Sequence, residues 1–272
     1  MDITKYEKYF FILPVVLSIL AIIAIAMWGL KPGIDLAGGS LLQVTFPSGR
    51  PTVEQIHEVA RPLNFGEVRA QPTGENGYIL RQRDLTTEEK NSLEAALATL
   101  GEVREDQYTS VGPILGSELV RKAWIAIALV VISTIIFIAF AFRGVSRPVQ
   151  SWKYGIVAIV TLLHDILIPV GLFAYLGYAV GAEVDALFIV ALLTILGISI
   201  NDTIVIFDRI RENLRLNEEH HKRENFDSVV GRSIMQTLTR SINTSVTVII
   251  VLVALYFLGP ESTKNFALTL IV

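Results

Sequence analysis

Apolar residues in this chain gather in long unbroken runs, not in the short periodic patterns of a soluble core. The first run is "YFFILPVVLSILAIIAIAMWGL", at about 9–30, and the second is "AWIAIALVVISTIIFIAFAF", 123–142. A third covers roughly Tyr154–Tyr178, a fourth Ala186–Phe207 and a fifth about Ser233–Leu258, whose first half is polar. Each has about the 20 residues that a helix needs to cross roughly 30 Å of hydrocarbon. A sixth begins near Asn265 and reaches only to Val272, so it is expected to be truncated. The first run could also be a secretory leader. Against that stand its length, the neutral "MDITKYEK" before it and the lack of a small-residue cleavage site after it.

Residues 31–121 follow a different rhythm. "GSLLQVTF" (39–46) alternates as a strand does, and "PTVEQIHEVARPL" (51–63) has helical spacing, with Pro51 at a helix-like first position. "GEVRAQ" and "GYILRQ" are short strands around the turn-rich "PTGENG". "TTEEKNSLEAALATLG" (86–101) opens acidic and ends in Gly, and "EVREDQYTSV" (102–111) closes as a strand. The order β-α-β-β-α-β predicts an α+β ferredoxin-like domain outside the membrane. The organisation expected is therefore a first span at 1–30, this domain at 31–121, and spans two to six at 122–272 with a basic loop at about 208–232.

Composition agrees with a membrane protein: 52% of the 272 residues are hydrophobic and 18% charged, and the mean hydropathy is +0.53. A net charge of −3 gives no reason to expect nucleic acid as a partner. The absence of cysteine excludes disulfides and thiolate metal sites. Arg143, Arg147 and Lys153 follow span two, while Arg209, Arg211, Arg215, Lys222, Arg223 and Arg232 follow span four. The turn "GYAVGAEVD" between spans three and four is acidic, with Glu183 and Asp185. The positive-inside rule then predicts a cytoplasmic N-terminus and an extracytoplasmic segment 31–121. That segment shows no nucleophile–base set, metal-spaced cluster or phosphate loop. Its histidine, His57, reads as part of a solvated helix face with Glu54 and Glu58. Its open sheet edges could accept an extended chain by strand addition.

Polar groups within the apolar runs carry the candidate chemistry, because ionisable residues in hydrocarbon are costly and tend to be functional. Asn201 and Asp202 interrupt span four, and "QTLTRSINTS" (236–245) opens span five. Asp202 lies six residues before Asp208, and Arg240 lies eight residues past Arg232. At 1.5 Å per residue the depths are roughly 9 and 12 Å, close enough for the two to pair. Thr237, Arg240, Ser241 and Thr244 form one polar stripe, while Thr194, Gly197 and Asn201 form a small-residue face for close packing. In span three, Thr161, Asp165 and Pro169 share a face, and Pro169 removes a helix hydrogen bond. His164 is expected to point about 100° away from Asp165, as successive helix residues do. Two readings stand for each buried charge: a lock between helices, or a station for protons.

Several motifs together resemble the SecF family. They are "GIDLAGGSLLQVTF" (33–46) with Asp35, Gly38 and Gly39, and "VGPILGSELVRKA" (111–123) with Gly112, Pro113, Gly116 and Glu118. With them go "LLHDI" (162–166) with His164 and Asp165, "ALLTILGISINDTIVIFDRIREN" (191–213), and the Arg of "QTLTRSINTS". Leu36 and Ala37 depart slightly from the usual pattern. The resemblance implies a six-span RND-type half with one outer domain, in the bacterial cytoplasmic membrane. It implies a subunit without a catalytic site, cofactor or metal that helps Sec-dependent export use the proton-motive force at a late stage. Its partners would be SecD (separate or fused), the SecYEG channel, the unfolded preprotein, lipid and protons. Asp202, Arg240, Asn201, Asp165 and Thr244 would form the proton path. Two other classes remain: an RND-type exporter of small molecules or lipids, and a purely structural assembly protein of the translocon.

Overall fold

The computed structural model describes residues 7–141, 151–220 and 224–272 and divides into two compact units, Met1–Lys31 with Trp124–Val272, and Pro32–Ala123. Arg143, Arg147, Lys222 and Arg223, used above for orientation, lie outside the described residues.

The helical unit is built from α1 (Glu7–Trp28), the greater part of α5 (Pro113–Ala141), α6 (Ser151–Val180), α7 (Ala186–Glu219), α8 (Phe226–Leu258) and α9 (Lys264–Ile271). Among the described residues five of these, α1 and α5 to α8, are long and apolar enough to cross a membrane. Helix α1 packs tightly on α6. A Cβ added at Gly171 would lie 2.4 Å from both Cα and Cβ of Ala21, so the absent side chain is what lets the backbones approach. Trp28 stacks on Tyr178 with ring centres 5.0 Å apart and also meets Tyr175, placing an aromatic cluster at one end of this helix pair. Pro169 sits buried inside α6, which runs on through it.

The helices outlast the apolar runs that announced them. Helix α5 starts at Pro113, ten residues before the expected span, with proline at the first helical position, where its missing N–H costs nothing. Helix α7 continues to Glu219. There Phe207, Ile210 and Leu214 keep one apolar face and bury it with Tyr154 and Val229. Much of the basic stretch at about 208–232 is therefore helical, and Asn217 accepts from Glu224 N and donates to Glu224 O, both at 3.1 Å.

The second unit holds α2 (Ile34–Ala37), β1 (Gly39–Thr45), α3 (Val53–Ala60), β2 (Arg69–Thr73), β3 (Gly77–Gln82), α4 (Thr87–Ala98) and β4 (Arg104–Val111). The sheet order is β2-β3-β1-β4, with every neighbouring pair antiparallel. Leu42, Val44, Tyr78 and Leu80 of the central strands share one core with Ile56 and Ala60 of α3 and Leu93 and Leu97 of α4. Pro51 is not at the first position of α3. Thr52 caps that helix instead, in a reciprocal pair with Gln55, and Pro51 precedes the cap. Pro72 and Thr73, expected in the hairpin loop, belong to β2.

Helix α4 starts on the same reciprocal cap, Thr86 with Glu89. Glu89 also takes a two-pronged bond from Arg83, at 2.5 and 3.0 Å. The Arg83 guanidinium, with help from the Thr86 N–H, lowers the Glu89 carboxyl from 4.5 to about 2. A depressed carboxyl stabilises the fold above its unfolded value and loses that contribution as pH falls towards the folded value. The pair is solvent-exposed, so the effect is small and screened by salt. Thermal unfolding of Pro32–Ala123 in the full chain, followed by proteolysis, is expected to lose stability between pH 4.5 and about 2. Glu89→Gln should flatten that segment of the curve, and an unchanged curve would show that the pair contributes nothing.

Candidate functional site

Helices α6, α7, α8 and α9 border an open cavity of about 600 Å³, and most of the polar groups singled out in the spans line it. Helix α6 supplies Thr161, His164 and Asp165, α7 supplies Ser199, Asn201 and Asp202, and α8 supplies Arg240, Ser241 and Thr244. From α9 come Leu270 and Ile271, which add apolar wall. The three-residue step from Ser199 to Asp202 on α7 and the four-residue step from Arg240 to Thr244 on α8 make this convergence possible. They turn one narrow polar stripe of each helix inwards while leaving apolar side chains around the rest.

Each carboxylate in the cavity has a serine partner on the next helix. Ser241 Oγ donates to Asp202 Oδ1 at 2.5 Å, joining α8 to α7. Ser199 Oγ donates to Asp165 Oδ2 at 2.5 Å, joining α7 to α6. His164 Nδ1 lies 2.9 Å from Asp165 Oδ1, so the two neighbouring side chains meet although their Cβ directions diverge along the helix. With Asp165 ionised, Nδ1 is the nitrogen that carries the proton in this contact.

Arg240 differs from expectation. It lines the cavity, yet among the described residues no ion pair joins it to Asp202, whose partner is the adjacent Ser241. Similar depth gave the height of the two charges but not their bearing around the helix axes. Thr244 Oγ1 donates to Arg240 O at 3.0 Å, a bond within its own helix, and Asn201 reaches the cavity as an exposed side chain.

The remaining motif residues belong to the other unit and form a joint there. Gly38 adopts φ 77° and ψ 156°, and a Cβ on it would lie 2.7 Å from Pro113 Cα. At Gly116 a Cβ would come within 2.9 Å of Gly38 N and Leu36 O, and at Gly39 within 2.7 Å of Gln82 O. The "GIDLAGG" and "GPILG" segments are thus glycine-lined because α2 lies against the first turns of α5 at backbone contact. Asp35 falls in the first turn of α2, Gly112 just precedes α5, and Glu118 pairs with Lys122 at 3.0 Å on the exposed side of α5.

Two features were not read from the sequence. One is Ser199, which stands three residues before Asp202 on the same helix side, a step that could have pointed to it. The other is a polar cluster at the far ends of α7 and α8. There the buried Asn213 donates through Nδ2 to Ser233 Oγ and Gln236 Oε1, both at 2.8 Å, and Arg209 Nε donates to the same Gln236 oxygen at 2.7 Å.

Comparison with known proteins adds the following. The family described as "Protein export membrane protein SecD/SecF, C-terminal" matches residues 92–272, and the "SecD/SecF GG Motif" matches residues 23–46, which include the Gly38–Gly39 joint. The protein translocase subunit SecF of Thermobaculum terrenum is 39% identical over 286 residues, covering 100% of this chain and 87% of that protein. The SecF of Synechocystis is 35% identical, with 100% and 88% covered. The protein translocase subunit SecDF of Bacillus subtilis is 34% identical over all of this chain, which spans 35% of that longer protein. Among solved structures, the crystal structure of SecDF from Thermus thermophilus, a translocon-associated membrane protein, matches with a TM-score of 0.82 at 28% identity. It covers 100% of this chain and 36% of that one.

Proposed function

The chain belongs to the SecD/SecF family of protein-export membrane proteins, and from that premise we propose that it assists Sec-dependent export as a proton-coupled SecF subunit. Relatives named as SecF translocase subunits match it over its whole length, which supports a multi-pass membrane subunit of the export machinery over the exporter alternative. SecD is the expected partner, since the matching region also occurs within SecDF chains. The SecYEG channel, the unfolded preprotein, lipid and protons complete the proposed set of partners, with no catalytic site on this chain.

The observation that carries the proton reading is the cavity, which Asp165, Asp202 and Arg240 all line between otherwise apolar helices. A carboxylate and a guanidinium that share such a cavity attract one another strongly only while the carboxylate is ionised. Asp202 bonded to Ser241 and not to Arg240 fits one stage of such a cycle. Movement of Arg240 towards or away from Asp202 would then couple proton uptake to helix motion, with Asn201, Thr244 and Asp165 as further polar steps. The remaining parts of the proposal are a six-span RND-type half in the cytoplasmic membrane, a cytoplasmic N-terminus and residues 31–121 outside. The sheet order β2-β3-β1-β4 supports a ferredoxin-like outer domain.

The test is export in cells from which the gene has been deleted, with the chain and its SecD partner restored. Restoration is expected to raise the exported fraction of a secreted protein, and an uncoupler should remove that increment. No increment would end the export role, and an increment insensitive to the uncoupler would end the proton coupling.

A further inference from the structure

We propose that Ser199 and Ser241 are positioning residues, each holding one cavity carboxylate in a geometry that lets it take up and release a proton. The inference rests on the reading that Asp202 titrates during export, and goes beyond it by naming what sets the affinity. The same arrangement occurs twice: a carboxylate on one helix receives a serine O–H from the next helix, α6 from α7 and α7 from α8. Both pairs open on the same cavity.

Hydroxyl chemistry explains why serine suits this place. It donates to a carboxylate, and it accepts from the O–H of a carboxylic acid, so the contact survives protonation with its direction reversed. A guanidinium has donors only, and once the acid forms it keeps a neutral carbonyl to bond but loses the charge attraction. Arg240 in contact with Asp202 would therefore lose more of its interaction on protonation of the acid than Ser241 does.

The ionisable groups that line the same cavity as Asp202 are His164 and Asp165 from α6 and Arg240 from α8. Helix α9 contributes Leu270 and Ile271 to the cavity, and its Lys264 does not line it. Asp165 has His164 on its other oxygen, so Ser199 shares that carboxylate, while among the described residues Ser241 acts on Asp202 without such a second donor.

The experiment is infrared titration of the full chain with its SecD partner in lipid bilayers, reading the carbonyl stretch of protonated carboxyls. Asp202→Asn and Asp165→Asn assign the two bands by their loss. Ser241→Ala removes the hydroxyl partner of Asp202 and is expected to shift the midpoint of its band by about one pH unit, roughly tenfold in proton affinity, while leaving the Asp165 band in place. Ser199→Ala should move the Asp165 band by less, because His164 remains. Ser241→Thr should restore the original midpoint. A wild-type midpoint in Ser241→Ala overturns the inference. Should that variant fail to fold, Ser241→Cys, with a weaker donor, must also titrate away from wild type, and an unshifted midpoint there has the same force. If no band disappears in Asp202→Asn at any pH, the proton reading of Asp202 falls and the inference falls with it. An unshifted band in the serine variants leaves that reading standing.

Discussion

Asp202→Asn is expected to abolish the uncoupler-sensitive part of export assistance while leaving the amount of folded protein near normal. The substitution keeps size and shape. Asn Oδ1 can still accept from Ser241 Oγ, so the link between α7 and α8 survives. Lost is the one property Asn cannot imitate, exchange of a proton, and a relay without it stops completely. The change in stability should be small, about 1 kcal/mol or less, because one neutral hydrogen bond replaces a charge-assisted one. Exported fraction would be measured with and without uncoupler, at matched protein level. Persistence of the uncoupler-sensitive increment would reduce Asp202 to a fastener between helices.

A second large effect is expected where no proton transfer is involved, at Gly38. Its φ of 77° with ψ of 156° is a conformation that only glycine adopts readily, and an added Cβ would sit 2.7 Å from Pro113 Cα and 2.9 Å from Pro113 N. Both obstacles are backbone, so no side-chain rotation relieves them. Gly38→Ala therefore carries a conformational cost and a packing cost, together about 3 kcal/mol or more. For a unit as small as Pro32–Ala123 that corresponds to a fall of about 10 °C or more in unfolding temperature. Protease resistance of this segment in the full chain, followed with temperature, measures it. An Ala variant as resistant as the parent would mean that α2 can lift off Pro113 at little cost.

Much of this architecture is legible in the sequence because hydrocarbon is an exacting solvent. Runs of about 20 apolar residues seldom suit anything but a membrane span. Their ends are less legible, since hydropathy stops where lipid stops, while helix α7 continues wherever one face still finds partners, as Phe207, Ile210 and Leu214 do. The candidate site is visible through its charges: Asp165, Asp202 and Arg240 stand out against apolar neighbours. Ser199 does not stand out, because a serine in a membrane helix can satisfy itself on its own backbone and leaves hydropathy almost unchanged. The Asp202–Arg240 pair is expected from depth alone. Depth is one coordinate, and the other is azimuth, in which Ser241 stands about 100° from Arg240 on the same helix.

Pro72 has a consequence for the small sheet as a surface. It lies in β2, opposite Tyr78 of β3, and β2 is an outer strand. Proline cannot donate to β3, so its place in the ladder is one whose backbone polar groups turn away from the sheet. In a five-residue strand that leaves Ala70 with the one outward N–H. A further strand would find too few donors to zip onto this side, which guards it against edge-to-edge aggregation. The opposite margin, β4, has no proline, and the charges of Arg104, Glu105 and Asp106 guard one end while Gln107 to Val111 carry none. The sheet is thus chemically one-sided: any extended polypeptide that lengthened it would lie along β4, in contact with its uncharged end.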